Sequence, residues 1–169
     1  MSLITDLQYT CPTPIQEAVA RGFEKEMSRL GQDDCYFKSI SVDLQRKRDF
    51  LAKVLTEVGM KPVIPEGGYF MMADWSGLAD KIDLSSETDS ARDYRYKGFT
   101  DLENLIFPAR FTKWLSKNRK LQGIPPSAFF CQEHKSIGEN FIRFCFIKHD
   151  DSLLKAQEIL QSWRKELDN

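Results

Sequence analysis

The sequence predicts an α+β fold in which one sheet is covered by helices on one face. Segments with helical and strand-like patterns follow one another as helix, helix, strand, strand, helix, strand, strand, helix. The chain contains no internal repeat, and hydrophobic residues make up 41% of it, as in ordinary globular domains. With 169 residues the chain is long enough to bury one hydrophobic core.

The composition excludes several classes of protein. Lys and Arg number 24 against 25 Asp and Glu, so the net charge of −1 provides no general attraction for nucleic acid or anionic lipid. No run approaches the ~18 apolar residues of a membrane span, and no signal-peptide pattern occurs. The four cysteines form no CxxC motif, which predicts reduced thiols in an intracellular protein and no metal site. We therefore expect neither nucleic acid nor membrane as a partner.

The first helix is predicted at 14–30, where an apolar stripe recurs at helical spacing and ends at Gly31. Thr13 is its expected N-cap, Pro14 fits the first helical position, and Gln16 stands where a capping box requires it. The stripe comprises Ile15, Val19, Phe23, Met27 and Leu30.

A second helix is predicted from Ser41 to Gly59, because its apolar residues share one face and its charged residues another. Gly59 supplies the C-terminal stop, and Pro62 cannot continue a helix. The basic run at 46–48 is typical of a solvated helix face, in preference to a nucleic-acid patch.

In the middle of the chain, the spacing of apolar residues changes from helical to strand-like. Strands are predicted at 61–64 and 69–75, separated by a turn that contains Gly67 and Gly68. Residues 76–104 are polar and lack a clear period, which predicts a long surface loop with one irregular helical turn. A segment of that length is typical of an insertion or a lid.

The C-terminal part contains two further helices and two strand-like segments. A helix is predicted at 107–118, an extended segment with two prolines at 122–130, and the strongest strand at 141–147. The last helix begins at Asp150 or Asp151. Its apolar face comprises Leu153, Leu154, Ile159, Leu160, Trp163 and Leu167.

Arg143 does not fit the strand that contains it. Side chains alternate along 141–147, and both resulting faces look buried although Arg143 lies on one of them. A guanidinium group stays protonated, so its burial requires an anion and several hydrogen bonds. Two interpretations stay open. Arg143 is either an edge residue that reaches solvent or pairs with an internal Asp or Glu, or a planar group at a cleft that binds a carboxylate through two hydrogen bonds.

The remaining polar residues form no known catalytic motif. His134 and His149 lie in polar surroundings near element ends, and we interpret both as surface histidines in preference to catalytic bases. Gly67 and Gly68 fit a turn, and Asp74 has no visible acid–base partner.

Three segments of the chain resemble one known family. They are 9–24 (YTCPTPIQEAVARGFE), 59–74 (GMKPVIPEGGYFMMAD) and 124–148 (IPPSAFFCQEHKSIGENFIRFCFIK). They are similar to the C-terminal part of kynurenine aminotransferases, also known as cysteine-S-conjugate β-lyases. These are fold-type-I, class-I enzymes that use pyridoxal 5'-phosphate. The resemblance covers nearly the whole chain in the right order, and only the region 77–104 departs from it.

The resemblance implies that the chain is a C-terminal fragment with two parts. Residues 1–35 would be a remnant of the large cofactor-binding domain, with its helix at 14–30. Residues 36–169 would be the small C-terminal domain, with a connecting helix at 36–58 and a polar insertion at 77–104. The apolar stripe of the first helix would then be exposed and would drive self-association or homodimer formation.

The resemblance also implies roles for individual residues. Arg143, in the motif Ile142-Arg143-Phe144, matches the family arginine that binds the substrate α-carboxylate. Tyr9 and Thr10 match positions that reach the neighbouring subunit's active site, where some members have an aromatic residue followed by His. No catalytic residue is expected in this chain, because the family's cofactor-binding lysine and the aspartate at the pyridine nitrogen lie upstream of the matched segments.

The implied function follows from these assignments. The full-length protein would convert an amino acid such as kynurenine or glutamine to its 2-oxo acid, with β-lyase activity on cysteine conjugates as a further reaction. This chain alone would be inactive. The alternative is a stand-alone truncated isoform that serves as a non-catalytic binding or dimerisation module. The expected location is the cytoplasm, or the mitochondrion if a targeting segment lies upstream.

Overall fold

The computed structural model describes residues 12–87 and 110–168. The chain divides into two compact units, residues 1–43 and 44–169. The α-helices in these ranges are α1 (Thr13–Met27), α2 (Tyr36–Val58), α3 (Arg110–Arg119) and α4 (Asp150–Leu167). The strands, all in the second unit, are β1 (Lys61–Val63), β2 (Phe70–Asp74) and β3 (Phe141–Cys145).

The second unit contains an antiparallel sheet with helices, as the α+β prediction requires. Its strands are arranged in the order β1-β2-β3. Met72 on β2 lies opposite Arg143 on β3, which fixes the register of the two longer strands. On the other side of β3, Ile124 forms a single bridge with Arg143 through two backbone hydrogen bonds of 2.9 Å.

The predicted extended segment at 122–130 is therefore a strand at one residue only. Residues Pro126–Phe129 form a 3₁₀ helix instead, and a second 3₁₀ helix covers Gln132–Gly138. Pro125 and Pro126 lack backbone N–H groups and cannot continue the pairing with β3, so the segment turns away after the bridge at Ile124.

The core lies between one face of the sheet and the helices of the second unit. Met71 and Ala73 on β2 and Ile142 and Phe144 on β3 are buried on this face. The core members on the α-helices are Leu51, Ala52, Val54, Leu55, Val58, Phe111, Leu115, Leu160 and Trp163. The apolar faces predicted for α2 and α4 therefore pack on the sheet.

Aromatic rings of this core connect α3 and α4. Trp75 stacks on Phe111 with ring centroids 4.4 Å apart, and Trp114 lies 5.3 Å from Trp163. The guanidinium carbon of Arg119 lies 5.5 Å from the centroid of each of these last two rings. Arg119 also forms an ion pair of 2.6 Å with Glu166.

The segment after β2 differs from the predicted surface loop. The expected helical turn is present as a 3₁₀ helix, Ser76–Lys81, but Leu78 and Ile82 are buried in the core. Leu78 lies within the 3₁₀ helix, and Ile82 follows its end with extended backbone. Glu87 is also buried and accepts a hydrogen bond of 2.9 Å from Lys117 Nζ. The rest of the predicted insertion, at 88–104, lies outside the described residues.

Helix α2 begins at Tyr36, five residues before the start at Ser41 that the residue pattern predicts, and its bounds are those of the connecting helix at 36–58 that the resemblance implies. The reason is a cap from α1, because the backbone N–H of Tyr36 donates to Glu26 Oε2 at 2.6 Å. The first N–H groups of a helix lack intrahelical partners, and a carboxylate satisfies one of them. The same hydrogen bond holds the pKa of the Glu26 carboxyl below its ordinary value.

Helix α1 has the predicted apolar stripe, but its N-cap residue differs from the predicted one. Its N-cap is Pro12, whose carbonyl accepts from the N–H groups of Ile15 and Gln16 at 3.0 and 3.1 Å, so Thr13 is already helical. No residue of α1 is buried. All five stripe residues are exposed, between 49% and 64% of their full accessibility.

The remaining helices agree with the sequence within a few residues. α3 begins at Arg110, and the predicted start at 107 lies outside the described residues. α4 begins at Asp150 with His149 as its N-cap residue. Leu153, Leu160 and Trp163 are buried as predicted, whereas Leu154 is exposed because it lies one position off that face.

Cys35, Cys131 and Cys145 are free cysteines, and Cys11 lies outside the described ranges. None of the helices in these ranges combines the length and the apolar character needed to cross a membrane.

The C-terminus of α2 is a Schellman motif that depends on Gly59, the predicted stop. The N–H of Gly59 donates to the Thr56 carbonyl and that of Met60 to the Leu55 carbonyl, both at 3.0 Å. Gly59 has φ +104°, and a Cβ there would lie 3.2 Å from Leu78 Cδ2. Only glycine adopts this backbone conformation readily.

Gly59→Ala is therefore expected to lower the free energy of unfolding by ~1–2 kcal/mol, the cost of left-handed backbone for a residue with a Cβ. Urea denaturation of the chain measures this change. The matched control is Gly67→Ala, since a Cβ at Gly67 meets nothing within 4 Å and its φ is not positive. We expect the control to change stability by less than ~0.5 kcal/mol. Equal losses in the two variants would contradict this account of the α2 terminus.

Candidate carboxylate-binding site

Strand β3 places Arg143 on the sheet face opposite the core. Ile142 and Phe144 are buried on the core face, as the predicted alternation requires. The expectation that both faces are buried is wrong, because Phe141, Arg143 and Cys145 are only half-buried. The guanidinium group therefore lies on a partly open surface and not in the core.

Two phenylalanine rings hold the guanidinium group of Arg143. Its Cζ lies 4.2 Å from the ring centroid of Phe70 and 4.4 Å from that of Phe129. Phe70 lies opposite Cys145 in the β2–β3 register, which makes it a diagonal neighbour of Arg143 on the same face. Phe129 ends the 3₁₀ helix that follows the Ile124 bridge. Such cation–π contacts are worth ~0.5–1 kcal/mol each at exposed sites.

Two glycines allow the segment that contains Phe129 to lie close to β3. A Cβ at Gly123 would lie 2.5 Å from the Ile142 side chain, so only glycine fits beside the strand there. A Cβ at Gly138 would lie 2.9 Å from the backbone nitrogen of Ser127, which is itself fully buried. The two 3₁₀ helices consequently pack on each other and fix the segment that ends in Phe129.

No carboxylate of the described residues pairs with the partly buried guanidinium group of Arg143. Its Nε is buried without a hydrogen-bond partner. Within the described ranges it forms no ion pair, so the internal Asp or Glu of the first interpretation is not found there. The Nε of Arg119 is also buried without a partner, but another nitrogen of the same guanidinium group pairs with the Glu166 carboxylate. Arg143 thus has free donors, and buried donors are rarely left unpaired.

The cleft beside Arg143 is apolar and positively charged. Its volume is about 490 Å³. Among the described residues that line it, Arg143 and Lys148 are cationic and none is acidic. Gln122 and Ser152 add neutral polar groups. The apolar lining includes Leu51, Phe70, Leu121, Ile124, Phe144, Leu153 and Ala156. This combination fits a small anion with an apolar part.

The other residues singled out from the sequence lie elsewhere. Tyr9 and Thr10 are outside the described residues. Asp74 accepts a hydrogen bond of 2.8 Å from the backbone N–H of Ser76, so it stabilises a turn. His149 is exposed at the start of α4. His134 is exposed as predicted, but its Nδ1 lies 2.9 Å from Cys131 Sγ. Of these residues, the three that the structure describes do not line the cleft.

The sequence pattern does not single out Phe70 and Phe129, the two aromatic residues that contact Arg143. The assignment of Phe70 needed the β2–β3 register, because only the register shows that it is a diagonal neighbour. No sequence pattern predicts the contact between Phe129 and Arg143, because Phe129 lies on a 3₁₀ helix where the sequence predicts an extended segment.

The residues of the cleft do not by themselves fit pyridoxal 5'-phosphate, the cofactor that the resemblance implies. That cofactor requires a lysine for its Schiff base and a partner for its pyridine nitrogen, commonly a carboxylate. The described lining provides Lys148 as its one amine and contains no carboxylate. Its chemistry fits a bound carboxylate instead.

Comparisons with known proteins give the family. No protein-family model matches the chain. The chain is 43% identical over 158 residues to kynurenine–oxoglutarate transaminase 3 of Bos taurus, and 42% identical over 155 residues to the protein of the same name from Homo sapiens. The chain is a homologue of the C-terminal part of kynurenine aminotransferases. These matches confirm the predicted resemblance.

A solved structure gives the same result for the fold. Bna3p from Saccharomyces cerevisiae matches with a TM-score of 0.69 and 27% identity, covering 95% of this chain and 34% of Bna3p. The predicted class is confirmed, since the chain has the α+β fold of the small C-terminal domain in fold-type-I aminotransferases. The match to the bovine relative covers 94% of this chain and 31% of that protein. The chain therefore spans about one third of the length of the kynurenine aminotransferases that it matches.

Proposed function

We propose that Arg143 binds the α-carboxylate of an amino acid or 2-oxo acid substrate. The observation that carries the proposal is a guanidinium group that contacts two aromatic rings, forms no ion pair among the described residues, and lines a cleft in which no described residue is acidic. Of the two interpretations that the sequence leaves open, this geometry favours a planar cation that receives a ligand.

The stacking suits the binding of a carboxylate by two parallel hydrogen bonds. Phe70 and Phe129 contact the guanidinium and restrict its rotation, so less side-chain entropy is lost when a ligand binds. The two Nη groups can then donate in parallel to the two carboxylate oxygens, a paired geometry that arginine favours. Lys148 contributes a second positive charge to the cleft.

We propose that the chain is the C-terminal part of a pyridoxal 5'-phosphate-dependent aminotransferase of the kynurenine type. The names of the relatives support an amino-acid donor such as kynurenine and a 2-oxo acid acceptor such as oxoglutarate. On its own the chain supplies carboxylate binding without transamination, because the described cleft lacks the groups that the cofactor requires.

The domain assignment is part of the same proposal. Residues 1–35 are a remnant of the large domain and residues 36–169 form the small domain, with Tyr9 and Thr10 near the neighbouring subunit's active site in a homodimer. The exposed stripe on α1 supports this assignment, since an apolar surface of this kind normally packs on another surface. The same stripe favours self-association of the isolated chain, which is also what the alternative dimerisation module requires.

Arg143→Lys is expected to raise the KM for amino and 2-oxo acids about tenfold to a hundredfold in the enzyme that contains this chain. Lysine cannot donate two parallel hydrogen bonds, and losing one such bond to a charged group costs ~1.5–3 kcal/mol. Steady-state kinetics with both substrates measures the change.

Arg119→Lys is the matched control for this experiment. Arg119 also stacks on aromatic rings, but it already pairs with Glu166 and does not line the cleft. Its replacement should lower stability and leave KM unchanged. An unchanged KM in Arg143→Lys, or an equal rise in both variants, would contradict the assignment of Arg143.

The isolated chain is expected to associate as its concentration rises, through the exposed stripe on α1. Val19→Lys places a charge in the stripe and should weaken this association, as measured by sedimentation velocity over a concentration series. Ala18→Lys adds the same charge at an exposed position outside the stripe and should have little effect. A chain that stays monomeric at every concentration would contradict the proposal.

A further inference from the structure

Cys131 and His134 form a thiol–imidazole pair outside the Arg143 cleft. The Sγ of Cys131 lies 2.9 Å from Nδ1 of His134, and both residues are exposed. Neither residue lines the cleft, and neither has a role in the function proposed above. The pair combines a nucleophile with a base at hydrogen-bond distance.

The 3₁₀ helix Gln132–Gly138 holds the two side chains together. Cys131 is its N-cap residue, and the backbone N–H of His134 donates to the Cys131 carbonyl at 3.0 Å. Residues three apart in a 3₁₀ helix lie one above the other, which places the thiol beside the imidazole. The close approach of Gly138 to Ser127 anchors the other end of this helix.

We propose that Cys131 is a nucleophilic thiol, activated by His134, that adds to soft electrophiles of the α,β-unsaturated carbonyl class. The thiolate is the reactive form of cysteine, and a neighbouring imidazole produces it by accepting the thiol proton. Because Cys131 is exposed, an electrophile reaches the sulfur without any rearrangement of the chain. This inference does not rest on the function proposed for Arg143.

The addition balances without an oxidant or reductant. His134 accepts the proton of the Cys131 thiol, and the sulfur electron pair forms an S–C bond to the β carbon of the acceptor. The C=C π bond breaks, and its electrons form an enolate. The enolate α carbon then takes a proton from the imidazolium, which returns His134 to its neutral form. No group leaves, and the product is a thioether.

The other described cysteines lack this arrangement. Cys35 is 1% exposed, and its thiol contacts the Glu26 carbonyl at 3.7 Å. Cys145 is half-buried on β3 with no histidine beside it among the described contacts. Selective modification at Cys131 is therefore the expected behaviour of the chain, and Cys145 is an internal reference for it.

The test is the rate at which methyl vinyl ketone labels each cysteine of the 169-residue chain, measured by peptide mass spectrometry. We expect Cys131 to react at least ~10-fold faster than Cys145, and His134→Gln to slow Cys131 by at least ~10-fold, given that a positioned base contributes ~10²–10⁴-fold. Glutamine retains a polar side chain but cannot accept the thiol proton. Added imidazole should restore part of the lost rate, which a purely structural role of His134 would not allow.

His149→Gln is the matched control, because His149 is equally a surface histidine but has no hydrogen bond to a cysteine among the described residues. It should leave the rate at Cys131 unchanged, and circular dichroism checks that each variant is folded. Equal labelling of Cys131 and Cys145 in the unmodified chain would overturn the proposal. An unaltered rate in folded His134→Gln would also overturn it.

Discussion

The position of Arg143 depends on how β3 is held between two neighbours. The register with β2 places Met72 opposite Arg143, and Ile124 bonds to the Arg143 backbone from the other side. Because Ile142 and Phe144 belong to the core, alternation along the strand directs Arg143 to the opposite face. The same packing that stabilises the sheet therefore fixes where the guanidinium group emerges. A shift of one residue would bury the charge and expose the core.

The environment of that guanidinium differs from that of a structural arginine in the same unit. Arg119 lies over two tryptophan rings and pairs with Glu166, so its charge is compensated within the chain. Arg143 contacts two phenylalanine rings, and no carboxylate of the described residues lines its cleft. Stacking positions a cation but does not supply a counter-charge. The contrast is the physical basis for assigning a ligand carboxylate to Arg143 and none to Arg119.

Local patterns in the sequence predicted much of this arrangement, and long-range contacts account for the differences. The alternation along 141–147 was sufficient to single out Arg143, and the spacing of the α1 stripe was sufficient to define its apolar face. The early start of α2 depends on Glu26, which lies ten residues from Tyr36 and is brought to it by the fold. Burial of Leu78 within a polar segment and the contact from Phe129 likewise arise only in three dimensions. The adjacency of Cys131 and His134 follows from a 3₁₀ turn where the sequence indicated only an isolated surface histidine.

The most direct test of the central claim is an NMR titration of the 169-residue chain with 2-oxoglutarate, in which the Nε–H signals of Arg143 and Arg119 are followed together. Both Nε atoms are buried without a protein partner, so the two signals form a matched pair in one sample. If Arg143 is a carboxylate receptor, its signal shifts with saturation and its exchange with water slows, while the Arg119 signal stays in place. An Arg143 signal that does not move, or equal shifts at both arginines, would contradict the account.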